Sequence, residues 1–290
     1  MKDLNHINTK ILGLIGHPIK HSYSPYIHNL TAELLGFDCI YLPFDVPASD
    51  LRNALRGMKA LDILGFNITI PHKESIIQFL NEISEEASII GSVNTIVNDH
   101  GKLTGYNTDV NGVFETLIPY NEEINGEVIT VVGAGGSARA VIYTLIRHFK
   151  PKVINLINRT LQRAESLREY FSEKMKFDSF NTFELFPPVL VEVLENSKLI
   201  INATSIGMYP DIDDTLTEIN KSFNENQIIF DLVYNPTETK LLKIASKQGA
   251  LTINGIKMLV LQAAKSFDLW TEQTMPTEKI EKALQLYIKN

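Results

Sequence analysis

The sequence is poor in the residues that staple or anchor a chain. Its 290 residues include one cysteine, Cys39, so neither a disulfide framework nor a thiolate metal site is available. No His-Glu-x-x-His pair stands in for thiolates and the histidines are scattered, so no metal is expected. No apolar run approaches the ~20 residues of a membrane span. Asp3 comes early, and the first apolar stretch, Ile11 to Gly16, is too short for the core of a secretory leader. Without a leader, the Asn-x-Thr and Asn-x-Ser triplets at Asn29, Asn67, Asn158, Asn202 and Asn220 are not expected to carry glycans. Basic charge is also short. Lys and Arg number 27 against 34 Asp and Glu, and the net charge of −7 disfavours nucleic acid or an anionic membrane as partner. A Walker-type phosphate loop is missing, and His21-Ser22 lacks the flanking glycines of a hydrolase nucleophile elbow. These absences leave a reduced, cytoplasmic protein long enough for about two domains, and a monomer or homodimer is expected.

What is present centres on Val128-Ile129-Thr130-Val131-Val132-Gly133-Ala134-Gly135-Gly136-Ser137-Ala138. Five β-prone residues run into glycines, and Val141, Ile142, Leu145 and Ile146 follow at helical spacing. Gly133, Gly135 and Ala138 fall on the three small-residue positions of a dinucleotide-binding turn. The first allows the bend, the second lets a pyrophosphate approach the backbone, and the third lets helix pack on strand. The next strand ends at Asn158-Arg159-Thr160, with Arg163 one turn on. An acidic residue there would hold a ribose 2′-hydroxyl. Two arginines suit a 2′-phosphate, so the pattern predicts NADP over NAD.

Either side of this turn the chain alternates strand and helix, predicting an α/β protein with a Rossmann-like second domain. Strands are expected at 11–16, 40–46, 65–70, 93–97 and 102–105, the last two joined by a hairpin turn at Asn98 to Gly101. Ser24-Pro25 predicts an N-cap with proline at the first helical position, an apolar face of Ile27, Leu30 and Leu34, and a stop at Gly36. Further helices are expected from Ser49-Asp50 (carrying Leu51, Ala54 and Leu55), at about 72–80 (Ile76, Ile77 and Leu80 inward) and at 107–118, with a polar linker at 119–126. The second domain reads as strands at 128–132, 153–157, 199–203 and 228–232 and helices at 136–148, 161–175 and 239–247. Residues 176–190 have no clear period. Two last helices, after Gly255 and from Pro276, are expected to return to the first domain. The expected division is 1–108 with 255–290 for substrate and 109–254 for cofactor.

Open α/β sheets bind ligands beyond the carboxyl ends of their strands. The polar residues expected there are Ser22, Ser24, Asn67, Thr69, Lys73, Asn94, Thr108 and Asp109.

The ordered motifs resemble the shikimate dehydrogenase family over nearly the whole chain. They are Gly16-His17-Pro18-Ile19-Lys20-His21-Ser22-Tyr23-Ser24-Pro25, Asn67-Ile68-Thr69-Ile70-Pro71-His72-Lys73, Gly91-Ser92-Val93-Asn94-Thr95, and Thr104-Gly105-Tyr106-Asn107-Thr108-Asp109. The glycine turn, Asn158-Arg159-Thr160, Asn202-Ala203-Thr204-Ser205, Asp231-Leu232-Val233-Tyr234-Asn235-Pro236 and Gly255 through Gln262 follow in order. The resemblance implies reversible NADPH-linked reduction of 3-dehydroshikimate to shikimate, in chorismate and aromatic amino-acid biosynthesis. It implies that Ser22 and Ser24 hold the substrate carboxylate, and that Asn67, Thr69, Asn94, Asp109, Tyr234 and Gln262 complete the substrate site. Lys73 and Asp109 are implied at the reacting oxygen. Gly133, Ala134, Gly135, Gly136, Ser137, Asn158, Arg159, Thr160, Arg163, Thr204, Leu232 and Gly255 are implied around NADP. Quinate-using relatives often carry threonine at the second serine position and an acid at the ribose, so Ser24 and Arg159 favour shikimate and NADP. The rival readings are an NAD-linked quinate/shikimate dehydrogenase and a catalytically silent NADP-binding regulatory module. The Lys73 and Asp109 pair weighs against the second.

Overall fold

The computed structural model describes residues 8–185, 187–216 and 222–289; Asp3 and Asn220 lie outside them. The chain divides into two compact units, Met1–Thr108 with Val260–Asn290, and Asp109–Leu259.

The first unit is built on a six-stranded mixed sheet in the order β2-β1-β3-β5-β6-β4. Its elements are β1 (Lys10–Gly16), α1 (Ser24–Leu35), β2 (Cys39–Asp45), α2 (Leu51–Ala60), β3 (Gly65–Ile68), β4 (Glu82–Ile83), α3 (Glu85–Ile90), β5 (Thr95–Asp99) and β6 (Lys102–Tyr106). β1 pairs parallel with β2 and β3, whereas β5 runs antiparallel to both β3 and β6. The hairpin between β5 and β6 turns on His100 (φ 47°) and Gly101 (φ 91°), the left-handed pair that a tight two-residue turn requires. Beneath the sheet Ile15, Leu51, Leu55, Met58, Phe66, Ile68, Ile76 and Ile96 form a continuous core.

The second unit carries α4 (Asp109–Leu117), α5 (Asn121–Ile124), β7 (Val128–Val132), α6 (Gly136–Thr144), β8 (Val153–Asn158), α7 (Leu161–Met175), β9 (Phe180–Glu184), α8 (Pro187–Glu195), β10 (Leu199–Asn202), β11 (Ile228–Asp231), α9 (Lys240–Lys247) and β12 (Leu251–Ile253). Its six strands are all parallel in the order β12-β11-β10-β7-β8-β9. Numbered within the unit this is 6-5-4-1-2-3, the doubly wound order whose direction of winding reverses between its first and fourth strands, β7 and β10. β7, β8, β10 and β11 are buried on both faces, which explains their unbroken apolar runs. Then α10 (Ile256–Thr271) leads back to the first unit, where α11 (Thr277–Lys289) closes the chain. Among the described residues no helix is long and apolar enough to cross a membrane.

Several local expectations are corrected. Ser24 is the first residue of α1 rather than its N-cap; Tyr23 occupies that place in the αR region (φ −88°, ψ −3°), and no side chain caps the helix. Leu34 is 49% exposed, because the inward stripe runs through Ser24, Ile27, His28, Thr31 and Ala32. The expected helix at 72–80 is a single 3-10 turn, Ser75–Phe79. It stops where Asn81 N–H joins the β6 carbonyl of Leu103 at 2.9 Å. The linker at 119–126 is helical in part: Ile118–Tyr120 and α5 put Ile124 in the core, with Glu122 and Glu123 at the favourable helix start. Residues 176–190 hold β9 and the start of α8, and β4, α3 and β12 are further elements too short to leave a period.

Candidate functional site

In the first unit the polar residues converge because β5 is antiparallel. Its amino end, at Asn94-Thr95, meets the carboxyl ends of β3 and β6 in register, with Asn67 opposite Thr95 and Thr95 opposite Tyr106. Backbone bonds extend this edge past the strands. Ile68 N–H reaches Asn94 O at 2.8 Å, Asn94 N–H reaches Tyr106 O at 3.0 Å, and Thr69 N–H reaches Ile15 O at 2.9 Å. Gly16, the last residue of β1, must be glycine because any Cβ there would collide with the Thr69 methyl and lie 3.1 Å from the Ile70 carbonyl oxygen. Asn67, Asn94, Thr95, Thr108, Gln262 and Ser266 thereby form a polar cluster in which none is more than 9% exposed.

Ser22 and Ser24 lie in the loop after β1 and the first turn of α1. The Ser22 hydroxyl donates to the Ser24 hydroxyl at 3.3 Å and accepts the Ser24 N–H at 3.2 Å. Because Ser24 does not cap the helix, both hydroxyls belong to one local pair. Lys73 follows the β3 edge, half-buried, with its carbonyl held by Val93 N–H at 2.8 Å. The residue before it, His72, is buried, and its Nε2 lies 2.6 Å from Val46 O, which pins this turn to the end of β2. Asp109 opens α4 and is 4% exposed.

In the second unit Gly133 follows β7 with φ +117° and donates to Ile157 O at 2.8 Å. A side chain there would bring Cβ to 2.9 Å from the Ala203 carbonyl oxygen, so both conformation and space demand glycine. Gly135 is the extended N-cap of α6 and would find nothing within 4 Å of an added Cβ. Ala138 is fully buried against the sheet. A tight bend, an open backbone approach and a close-packed helix start are what a dinucleotide diphosphate requires, so the residues fit that group. At the end of β8, Asn158 Nδ2 donates to Thr160 O at 2.9 Å. Arg159 and Arg163 are exposed, and among the described residues neither is paired with an acid. Gly255 and Leu232 meet directly: a Cβ on Gly255 would lie 2.7 Å from the Leu232 carbonyl carbon. Tyr234 is half-buried two residues past Leu232.

Between these loops lies a buried carboxylate. Asp231, fully buried at the end of β11, accepts from Asn202 Nδ2 at 2.9 Å, Thr239 Oγ1 at 2.6 Å and Val233 N–H at 3.1 Å. Burial pushes its carboxyl up to about 6, against the opposing pull of the Thr239, Val233 and Asn202 donors. Asn202 Oδ1 in turn holds Thr204 through its hydroxyl at 2.6 Å, so Thr204 is placed by the same network.

Sequence reasoning missed Thr95, Tyr41 and Ser266. Gln262 and Ser266 are four residues apart on α10, hence on one helix face, and this spacing was the signal available.

A doubly wound nucleotide unit and a mixed-sheet unit with a polar strand edge, carried on one chain, define a dinucleotide-dependent oxidoreductase. Family models agree along the chain: a shikimate dehydrogenase substrate binding domain matches residues 14–96, a shikimate/quinate 5-dehydrogenase domain 119–253, and a shikimate 5'-dehydrogenase C-terminal domain 255–285. The chain belongs to the shikimate dehydrogenase family. It is 44% identical over 265 residues to the shikimate dehydrogenase (NADP+) of Caldanaerobacter subterraneus subsp. tengcongensis, covering 91% of this chain and 92% of that one. A crystal structure of shikimate dehydrogenase in complex with NADP+ superposes with a TM-score of 0.86 at 40% identity, covering 97% and 96%. The Listeria monocytogenes shikimate 5-dehydrogenase, solved with shikimate and NAD, gives 0.85 at 36% identity over 98% of each chain.

Proposed function

We infer that this protein reduces 3-dehydroshikimate to shikimate reversibly with NADPH, a step of chorismate and aromatic amino-acid biosynthesis. Family membership over most of the chain carries the reading, and Arg159 and Arg163, paired with no acid among the described residues, support NADP. Residues 1–108 with 255–290 take the substrate and 109–254 the cofactor.

Ser22 and Ser24 together anchor the substrate carboxylate, since one neutral hydroxyl is a weak partner for an anion. Thr69, Asn94, Asp109 and Gln262 bind the ring oxygens, with Asn67 and Tyr234 completing the site. Gly133, Ala134, Gly135, Gly136 and Ser137 receive the diphosphate; Asn158, Arg159, Thr160 and Arg163 receive the adenosine 2′-phosphate; Thr204, Leu232 and Gly255 also line the cofactor. Bound NADPH supplies the hydride. The chain's part is to hold the ketone, meet the negative charge that grows on its oxygen, and deliver one proton. The Lys73 ammonium does both, stabilising the developing alkoxide more than the neutral ketone. Asp109 binds a substrate hydroxyl and acts with Lys73 at the reacting oxygen.

The test is NADPH oxidation with 3-dehydroshikimate, run beside NADH with 3-dehydroquinate. Lys73→Ala is expected to lower kcat at least about a hundredfold while KM for shikimate moves only a few-fold. Near-normal kcat with a greatly raised KM would make Lys73 a binding residue. Preference for quinate and NAD would instead support the NAD-linked reading.

A further inference from the structure

The carboxyl ends of β1, β2 and β3 are tied together past the sheet by a few bonds from the residues that follow them. Thr69 N–H, one residue beyond β3, reaches Ile15 O at 2.9 Å, and His17 N–H, one residue beyond β1, reaches Ile70 O at 2.9 Å. Val46, one residue beyond β2, donates its N–H to Gly16 O at 3.0 Å. Its carbonyl lies 2.6 Å from His72 Nε2. A carbonyl oxygen only accepts, so Nε2 carries the hydrogen. Because β1 stands between β2 and β3, this bond runs from the turn after β3 across the end of β1 to the end of β2. The His72 ring is fully buried, and its Nδ1 has no hydrogen-bond partner among the described residues. The whole polar use of the ring is one donor atom.

We propose that His72 is a positioning residue for Lys73, holding the lysine's turn where its ammonium meets a substrate oxygen. The turn is fastened on two sides. The Lys73 carbonyl accepts Val93 N–H at 2.8 Å, ahead of β5, and the His72 ring fastens the opposite side to Val46. The His72 carbonyl accepts Ile76 N–H at 2.9 Å, which carries the constraint into the following 3-10 turn. Val46 also holds Gly16, from which the loop to Ser22 and Ser24 departs, so the lysine and the serine pair share one point of reference. Loss of the ring bond frees one side of the lysine's turn and leaves the serines in place. A displacement of about 1 Å in a reacting group can cost about a hundredfold in rate. The catalytic part of Lys73 rests on the functional reading above; the anchoring of its turn does not.

The experiment reads the two separately. Glutamine carries its amide nitrogen as many bonds from Cβ as imidazole carries Nε2, whereas asparagine falls one bond short. His72→Leu and His72→Asn are expected to lower kcat about tenfold or more, with KM for shikimate within about threefold and KM for NADP+ unchanged. His72→Gln, which restores the donor, is expected to recover kcat to within about threefold of the parent. Hydrogen exchange followed by NMR on the full chain without ligand is expected to quicken about tenfold at the Val93 and Ile76 amides in the first two variants. The Val131 amide, in β7 of the second unit, is expected to exchange as in the parent, which a general loss of stability would not allow. Should the leucine variant fail to fold, the asparagine variant decides. Unchanged exchange at Val93 in a folded variant overturns the proposal. So does quickened exchange with kcat untouched, or a loss of kcat that persists in His72→Gln with Val93 exchange restored. Quickened exchange where the parent itself does not turn over shikimate supports the anchor and removes the functional reading alone.

Discussion

The Trp270 indole nitrogen donates to the Ile96 carbonyl at 2.9 Å, and the same ring covers Gly65 so closely that a Cβ there would collide with it. The start of β3 must be glycine because a side chain from α10 occupies the space. Gly65→Ala forces that ring off the sheet. It is expected to cost about 1–3 kcal/mol, the range for overpacking a filled core. Urea denaturation of parent and variant measures it, and an unchanged midpoint would show that the indole moves freely.

Arg159 is expected to pair with the 2′-phosphate, a charge-assisted contact of about 1.5–3 kcal/mol. Arg159→Ala should weaken NADP+ binding about ten- to a hundredfold and leave NAD+ almost unaffected. Titration with both cofactors measures the ratio. Equal losses would place the arginine elsewhere on the nucleotide.

Ser22→Ala and Ser24→Ala are each expected to raise KM for shikimate several-fold. Because Tyr23, not Ser24, is the N-cap of α1, Ser24→Ala removes no cap bond, and its stability is expected to stay within about 0.5 kcal/mol of the parent. Unchanged KM in both folded variants would sink the carboxylate assignment.

Asp231 gives the second unit a pH dependence of definite sign. The folded carboxyl titrates at about 6, above its ordinary 3.8. Below both values each state is protonated and the group contributes no difference. As pH rises from about 4 through 6 the unfolded chain ionises first, so stability falls, by up to about 3 kcal/mol. Asp231→Asn can still accept from Asn202 and Val233 while carrying no charge. It is expected to raise the urea midpoint at pH 7.5 and to lose that advantage at pH 4. An advantage of the same size at both pH values would mean that charge is not the cause.

Much of this was legible in the residues. β7 and α7 lie where the apolar period put them, because a strand buried on both faces reads as an unbroken apolar run and a long helix repeats its stripe. The glycine turn was legible because Gly133 meets a steric demand that no other residue satisfies. β4, α3, β9, α8 and β12 were not: they have too few turns or alternations, and no unbroken apolar run marks the strands among them. Ser24 misled because serine before proline is ordinary cap chemistry, whereas the helix here gains one residue through the αR backbone of Tyr23. Ser266 and Thr95 were not singled out because they meet only across a sequence gap that the fold closes.

The interruption of the first unit by the second also sets an order of assembly on the ribosome. Residues 109–259 are contiguous and can close their sheet once synthesised, whereas the first unit waits for residues near the chain's end. Until Trp270 emerges, the groove over Gly65 and the Ile96 carbonyl is uncovered, and until Ser266 emerges the buried amide of Asn67 lacks one of its acceptors. The half of the molecule made first is the half finished last, and a chain truncated before α10 would expose an unclosed sheet to chaperones and proteases.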